Sequence, residues 1–257
     1  MKWDPSKYAE FADYRSRPFF DLTGRIAADE PRRVVDLGCG PGSLTAALAD
    51  RWPRARVTGL DSSAAMIAAA AAASQPQNLD FEVGDIAAWT PPEDLDVLVS
   101  NAALQWLPGH EDLLRVWAAA LSSGAWLAFQ VPGNFSAPSH TLMRRQAASS
   151  RWRARLDGVL RHEDAVSEPA DYLALLLEAG FDADAWETTY LHVLQGPDPV
   201  LEWVRGTGLR PVLAALESRE ASEFETEYAE ALRHAYPAGP HGTVFPFRRI
   251  FCVARKR

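Results

Sequence analysis

Cysteine is scarce in this chain. Of 257 residues only Cys39 and Cys252 are cysteine, and they stand far apart. Neither belongs to a Cys-x-x-Cys pair, which excludes a disulfide framework and a cysteine zinc cluster as organising devices. Long apolar runs are also missing. The alanine run at residues 68–73 is far too short to span a bilayer and sits in a helical context. Basic residues do not dominate: 26 Lys and Arg stand against 34 Asp and Glu, for a net charge of −8. That balance argues against binding to nucleic-acid backbones or anionic membranes, and still permits a local basic pocket for a small acid. The six histidines show no metal-ligand spacing, so no metal is expected. Met1-Lys2-Trp3-Asp4-Pro5 lacks the apolar stretch of a secretory leader, and the expectation is a reduced, cytoplasmic protein.

What is present is an ordinary globular composition, 47% hydrophobic and 23% charged. Short apolar runs alternate with helical stretches from residue 33 to residue 131. Strands are predicted at 33–37, 56–60, 79–83, 95–99 and 125–131, with helices at 44–51, 64–74 and 111–121 between them. This alternation predicts a doubly wound α/β fold with a mostly parallel sheet. Further strands are expected at 185–194 and 245–254. Residues 1–30 read as a helical cap, with Pro18 opening a new helix. Residues 132–165 and 195–244 read as helical insertions that form a lid on a single domain spanning 1–257.

In such a sheet, ligands bind beyond the carboxyl ends of the strands. The first strand runs into Gly38-Cys39-Gly40-Pro41-Gly42, and a helix follows. Glycines there let a ligand approach the backbone, and the amide groups at the helix start favour electron-rich atoms. The third glycine of a dinucleotide fingerprint is absent, because position 43 is Ser, and the Gly-Lys-Ser/Thr of a P-loop is absent too. Asp61 ends the second strand, where its carboxylate either accepts from two ribose hydroxyls or caps the next helix. Asp85 follows Gly84 after the third strand, as an adenine ligand or a turn residue.

The run Val34-Val35-Asp36-Leu37-Gly38-Cys39-Gly40-Pro41-Gly42 resembles the first motif of class I S-adenosylmethionine-dependent methyltransferases, and Asp61 and Gly84-Asp85-Ile86 resemble their second and third. The resemblance implies a seven-stranded sheet of order 3-2-1-4-5-7-6 with the last strand antiparallel. It implies S-adenosylmethionine as methyl donor. Asp36, Gly38, Gly40 and Gly42 would lie beside its methionine part. Asp61 would hold its ribose, with Met66 near the adenosine, Asp85 and Ile86 at the adenine, and Asn101 under the methionyl end. Tyr8 and Tyr14 are candidates to close over the cofactor from the N-terminal helix.

Further blocks resemble a narrower group, the trans-aconitate 2-methyltransferases. Among them are Arg15-Ser16-Arg17-Pro18-Phe19, Ser100-Asn101-Ala102-Ala103-Leu104-Gln105-Trp106-Leu107, Pro132-Gly133-Asn134-Phe135, Arg205-Gly206-Thr207-Gly208-Leu209-Arg210-Pro211 and Phe245-Pro246-Phe247-Arg248-Arg249. This resemblance implies methyl esterification of one carboxylate of a small tricarboxylate. A carboxylate is already ionised at neutral pH, so no general base is expected. Arginine offers a planar fork suited to carboxylates. The candidate acceptor ligands are Arg17, Arg144, Arg210 and Arg248, with His140 as a donor and Trp106 as a wall. Adjacent strand residues face opposite ways, so only one of Arg248 and Arg249 is expected at the ligand. Three other readings stay open. One is methylation of a different small acid or metabolite, distinguished by whether the acceptor needs two carboxylates. Another is nucleic-acid methylation, disfavoured by Asn101-Ala102-Ala103-Leu104 where a polar-Pro-Pro-aromatic motif would stand. The last is cofactor binding without turnover. The expected partner is a small molecule rather than nucleic acid or membrane, and the expected state is a monomer.

Overall fold

The computed structural model describes residues 12–73, 76–161 and 164–257. In chain order its first elements are α1 (Ala12–Thr23), β1 (Arg33–Leu37), α2 (Ser43–Arg51), β2 (Arg56–Asp61), α3 (Ala64–Ala72), β3 (Leu79–Val83), β4 (Val97–Asn101), α4 (His110–Ala120) and β5 (Trp126–Pro132). Then come α5 (Pro138–Ala147), α6 (Arg153–Leu156), α7 (Pro169–Glu178), β6 (Phe181–Leu194), α8 (Pro199–Arg205), α9 (Arg210–Ala215), α10 (Ser218–Ala235), β7 (Ala238–Gly239) and β8 (Gly242–Lys256). The described chain divides into two compact units. One holds the residues up to Val131 together with Ser167–Glu187 and Ile250–Arg257; the other holds Pro132–Val166 and Thr188–Arg249.

The sheet has the strand order β3-β2-β1-β4-β5-β8-β6. β1 pairs in parallel with β2 and β4, β2 with β3, and β4 with β5. The valine- and leucine-rich β1, β2 and β4 are buried along nearly their whole length, as parallel strands covered on both faces must be. β8 runs against β5: Gly124 N–H donates to Lys256 and Lys256 N–H to Ala125, while Gly133 N–H donates to Arg248. The expected order is therefore found, with one correction. The sheet has eight strands, because the two-residue β7 folds back antiparallel onto the start of β8.

Capping and packing explain the helices of the first unit. Ser63 caps α3 by accepting the Met66 N–H. Glu168 and Asp171 form a capping box at the start of α7. Lys256 donates to Ala118 and Ala179, near the carbonyl ends of α4 and α7, where a cation is favoured by the helix dipoles. His110 and Tyr172 join the same two helices through a 2.6 Å bond between Nε2 and the phenol oxygen. One expectation is corrected at α1. Pro18 lies inside this helix rather than at its start, costing it one backbone hydrogen bond, while Phe19 and Leu22 are fully buried.

The second unit is organised on α10. Tyr228 donates to the Ser139 carbonyl at 2.5 Å, and the Ser139 N–H donates to Tyr236 at 3.0 Å, which fixes the start of α5. Trp152 packs edge-on to Phe224, and Arg151 pairs with Glu223 and Glu227. Trp203, Phe245, Phe247 and His192 form an aromatic cluster between α8 and the first half of β8. Among the described residues, no helix is long and apolar enough to cross a membrane.

Candidate functional site

β1 delivers the chain into a loop whose Gly38, Gly40 and Gly42 all have positive φ, at 81°, 56° and 81°. They do different work. A Cβ on Gly38 would lie 2.3 Å from the Ala103 Cβ, and one on Gly42 would lie 2.4 Å from the Phe81 ring. Both positions are small because the protein packs against them. A Cβ on Gly40 would meet nothing within 4 Å, so this residue supplies a left-handed backbone on an open side of the loop. The loop is held from β2: Leu60 O accepts from Gly38 N–H at 2.7 Å and from Cys39 N–H at 3.1 Å.

Asp61 braces the same loop. Its Oδ2 accepts the Gly40 N–H at 3.0 Å and its Oδ1 the Ser63 N–H at 2.8 Å. Each carboxylate oxygen has a further lone pair for a ligand hydroxyl. Asp36 is buried and accepts from the Thr45 hydroxyl at 2.7 Å. Burial raises its carboxyl pKa to about 6; the Thr45 bond opposes this and the nearby Asp61 charge adds to it. Burial, with Asp36 and Asp61 close by, also pushes the Cys39 thiol far above its ordinary range. Asp85 is exposed and accepts the Ala87 N–H at 2.9 Å, capping a single turn. Ile86 is buried, its methyl carbon 3.5 Å from where a Gly38 Cβ would stand. Met66 packs into the interior from α3.

At the end of β4 the backbone is strained and polar atoms are left over. Ala102 adopts φ 55°, in the left-handed region that costs a residue with a Cβ roughly 1–3 kcal/mol. Its carbonyl accepts from Gln105 Nε2 at 2.6 Å. Asn101 Oδ1 and Gln105 Oε1 are both buried without a hydrogen-bond partner among the described residues. Two carbonyl oxygens lacking donors suit the cationic, N–H-bearing methionyl end of S-adenosylmethionine, so the residues present fit that group. Gln105 is not among the residues expected at the site; its sequence signal is its place, four residues after Asn101, in the block Ser100 to Leu107 that carries the resemblance.

Tyr8 falls outside the described residues. Tyr14 is exposed on α1, as is Arg17, whose guanidinium is 3.8 Å from Asp21 one turn along. Trp106 is half-buried at the end of a single turn after β4.

Within the second unit, a chain of contacts runs from β8 to α5. Arg248 N–H donates to Asn134 Oδ1 at 2.7 Å, and the next residue, Phe135, sets its ring 5.5 Å from that of His140. His140 Nδ1 is 3.1 Å from the Ser139 hydroxyl, and its Nε2 would be 3.3 Å from a Cβ on Gly208. Burial, assisted by the charge of Arg144, lowers the His140 pKa to about 4, so the ring is neutral at pH 7. Arg144 is half-buried one turn beyond His140, and Arg210 opens α9 two residues after Gly208. On β8, Arg248 is half-buried, whereas Arg249 turns to the buried face with its guanidinium 4.7 Å from the Phe247 ring centre.

Comparison with known proteins agrees with this geometry in kind. A family model described as a methyltransferase domain matches residues 34–124, the stretch that carries the glycine loop and the acids after it. The YcgJ protein of Bacillus subtilis has the same fold, with a TM-score of 0.58 and 15% identity over 95% of this chain and 99% of its own. A sheet of this order with an open glycine loop at the end of β1 defines a class I S-adenosylmethionine-dependent methyltransferase. Relatives at much higher identity narrow the class. The trans-aconitate 2-methyltransferase of Streptomyces avermitilis is 57% identical, covering 99% of this chain and 97% of its own length. That of Rhodococcus jostii is 54% identical over 98% and 99%. The chain belongs to the trans-aconitate 2-methyltransferase family.

Proposed function

We propose that this protein, in the cytoplasm and as a monomer, methylates one carboxylate of trans-aconitate, giving a monomethyl ester and S-adenosylhomocysteine. The observation that carries this reading is the extent of the likeness. It runs through both units rather than through the glycine-loop region alone.

When bound, S-adenosylmethionine supplies a methyl group activated by its sulfonium charge. The residues that would hold it are Asp36, Gly38, Gly40 and Gly42, with Asp61 at the ribose, Met66, Asp85 and Ile86 at the adenosine, and Asn101 with Gln105 at the methionyl end. Tyr8 and Tyr14 complete this set. The acceptor set is Arg17, Trp106, His140, Arg144, Arg210 and Arg248. The attacking carboxylate is ionised near pH 7, so the work of these residues is to bind and orient rather than to remove a proton. The arginines neutralise the tricarboxylate. His140, held neutral by burial, contributes an N–H without adding charge. Cap and lid roles for residues 1–30, 132–165 and 195–244 belong to the same proposal.

The test is methyl transfer to trans-aconitate, cis-aconitate, citrate, isocitrate and a monocarboxylic acid, read as product mass. One added methyl on trans-aconitate, much faster than on the others, is expected. Equal rates on the monoacid would overturn the reading. Arg248→Ala should raise the acceptor KM ~10-fold or more with the S-adenosylmethionine Kd unchanged.

A further inference from the structure

Asn134 is 3% exposed, and only the oxygen end of its amide is hydrogen-bonded among the described residues. Oδ1 accepts the Arg248 N–H at 2.7 Å. Because that partner is a donor, the orientation of the amide is settled: oxygen faces β8, and the nitrogen faces away with two N–H groups. Nδ2 is buried and has no hydrogen-bond partner among the described residues. A donor buried in this state is unfavourable unless an acceptor reaches it. The position is rigid as well. Gly133 N–H donates to the Arg248 carbonyl on one side, and the Asn134 carbonyl accepts from Ala137 N–H on the other. The backbone at Asn134 is thus tied both to the β8 rung that carries Arg248 and to the turn that leads to His140, and Oδ1 ties the side chain to the same rung.

We infer that Asn134 is a specificity-determining residue whose Nδ2 donates to a non-reacting carboxylate of the acceptor. The inference rests on the polycarboxylate reading above and adds a residue to it. The ligand must bring an acceptor atom, because what is left over is a donor. A carboxylate oxygen accepts one of these N–H groups in good geometry and leaves the other for a second acceptor atom of the ligand, while Arg248 on the same rung offers a charge of opposite sign. A non-reacting carboxylate fits better than the methylated one, since an oxygen engaged by a strong donor is a poorer nucleophile. A neutral amide also discriminates at little cost: it is easily desolvated, yet it penalises any ligand that leaves it unpaired.

The test is Asn134→Asp. The new side chain keeps an oxygen to accept from Arg248, so the clamp survives, but it replaces the donor with a second anionic oxygen. The KM for trans-aconitate should rise ~10-fold or more, with kcat within ~3-fold and the S-adenosylmethionine Kd unchanged. The wild-type advantage should narrow from pH 8 to pH 6, as the new carboxyl takes up a proton and regains a donor. An unchanged KM in a folded variant overturns the assignment and leaves the functional reading standing. Parallel losses in acceptor and cofactor affinity overturn it in favour of a structural clamp. Should the variant not fold, the wild type is decisive. Its Asn134 side-chain 15NH2 resonances should move on titration with tricarballylate, an inert tricarboxylate, in the presence of S-adenosylhomocysteine. Resonances that stay fixed at saturation overturn the assignment. A wild type that neither methylates trans-aconitate nor binds tricarballylate overturns the functional reading and this assignment together.

Discussion

Two titratable side chains, Asp36 and His140, are held in their less stable protonation environments, and each makes a distinct prediction. Asp36 has a native pKa near 6 against an ordinary value of 3.8. Between those values the folded state binds more protons than the unfolded one. Wild-type stability therefore falls as pH rises through the window, and the loss is complete above pH 6. Asn at this position can still accept from Thr45 and has no proton to lose. Asp36→Asn should gain ~1–3 kcal/mol over wild type between pH 4 and pH 7 while losing cofactor affinity. Urea midpoints across that range measure it, and a difference independent of pH would refute it. His140 works in the opposite sense. Its pKa is lowered to about 4, so it stays neutral throughout the physiological range. The acceptor KM should show no step near pH 6.5, the ordinary imidazole value. A clear inflection there that disappears in His140→Gln would contradict the neutral donor role proposed for His140.

At the scale of the element, the glycine loop separates two functions that look alike in sequence. Gly42→Ala drives a Cβ into the Phe81 ring and should destabilise the fold by ~2–4 kcal/mol. Gly40→Ala meets no neighbour, so only the left-handed backbone resists it, at roughly 1–2 kcal/mol. It should fold and yet bind S-adenosylmethionine ~10-fold or more weakly. Calorimetric titration and thermal melts of the pair distinguish packing from access. Much of this region is legible from sequence because parallel strands buried on both faces are short apolar runs: β1 and β3 have their predicted bounds. Edge strands are less legible. β6 begins at Phe181 rather than at residue 185, because Asp182 and Asp184 are exposed and break the apolar pattern. Arg249 behind Arg248 follows the alternation of a strand, so the buried and half-buried pair could be anticipated. Asn134 could not be singled out. Its partner lies 114 positions away, and no local spacing announces a bond between a turn and the backbone of a distant strand.

For the molecule as a whole, the two thiols are reporters of a single unit. Cys39 and Cys252 are both buried and both belong to the unit that carries the glycine loop. Burial pushes each thiol well above its ordinary range, so neither should react with a disulfide reagent while that unit stays closed. Labelling should follow the rate of opening and slow several-fold when S-adenosylmethionine is added. Prompt reaction of either thiol in the native protein would contradict their burial.

The second unit is not a contiguous piece of chain. It is assembled from Pro132–Val166 and Thr188–Arg249, and the bond between Asn134 and Arg248 joins one piece to the other. Under the proposed function this matters for how acceptor choice is inherited. A recombination event falling between residues 166 and 188 would give a gene that takes its turn from one parent and its arginine strand from the other. The bond itself would survive, since position 248 contributes only its backbone N–H, but the hybrid of parents with different acceptors would combine two parts of the proposed acceptor set selected for different ligands. New acceptor preferences in this lineage should therefore arise more readily by paired substitutions than by crossover.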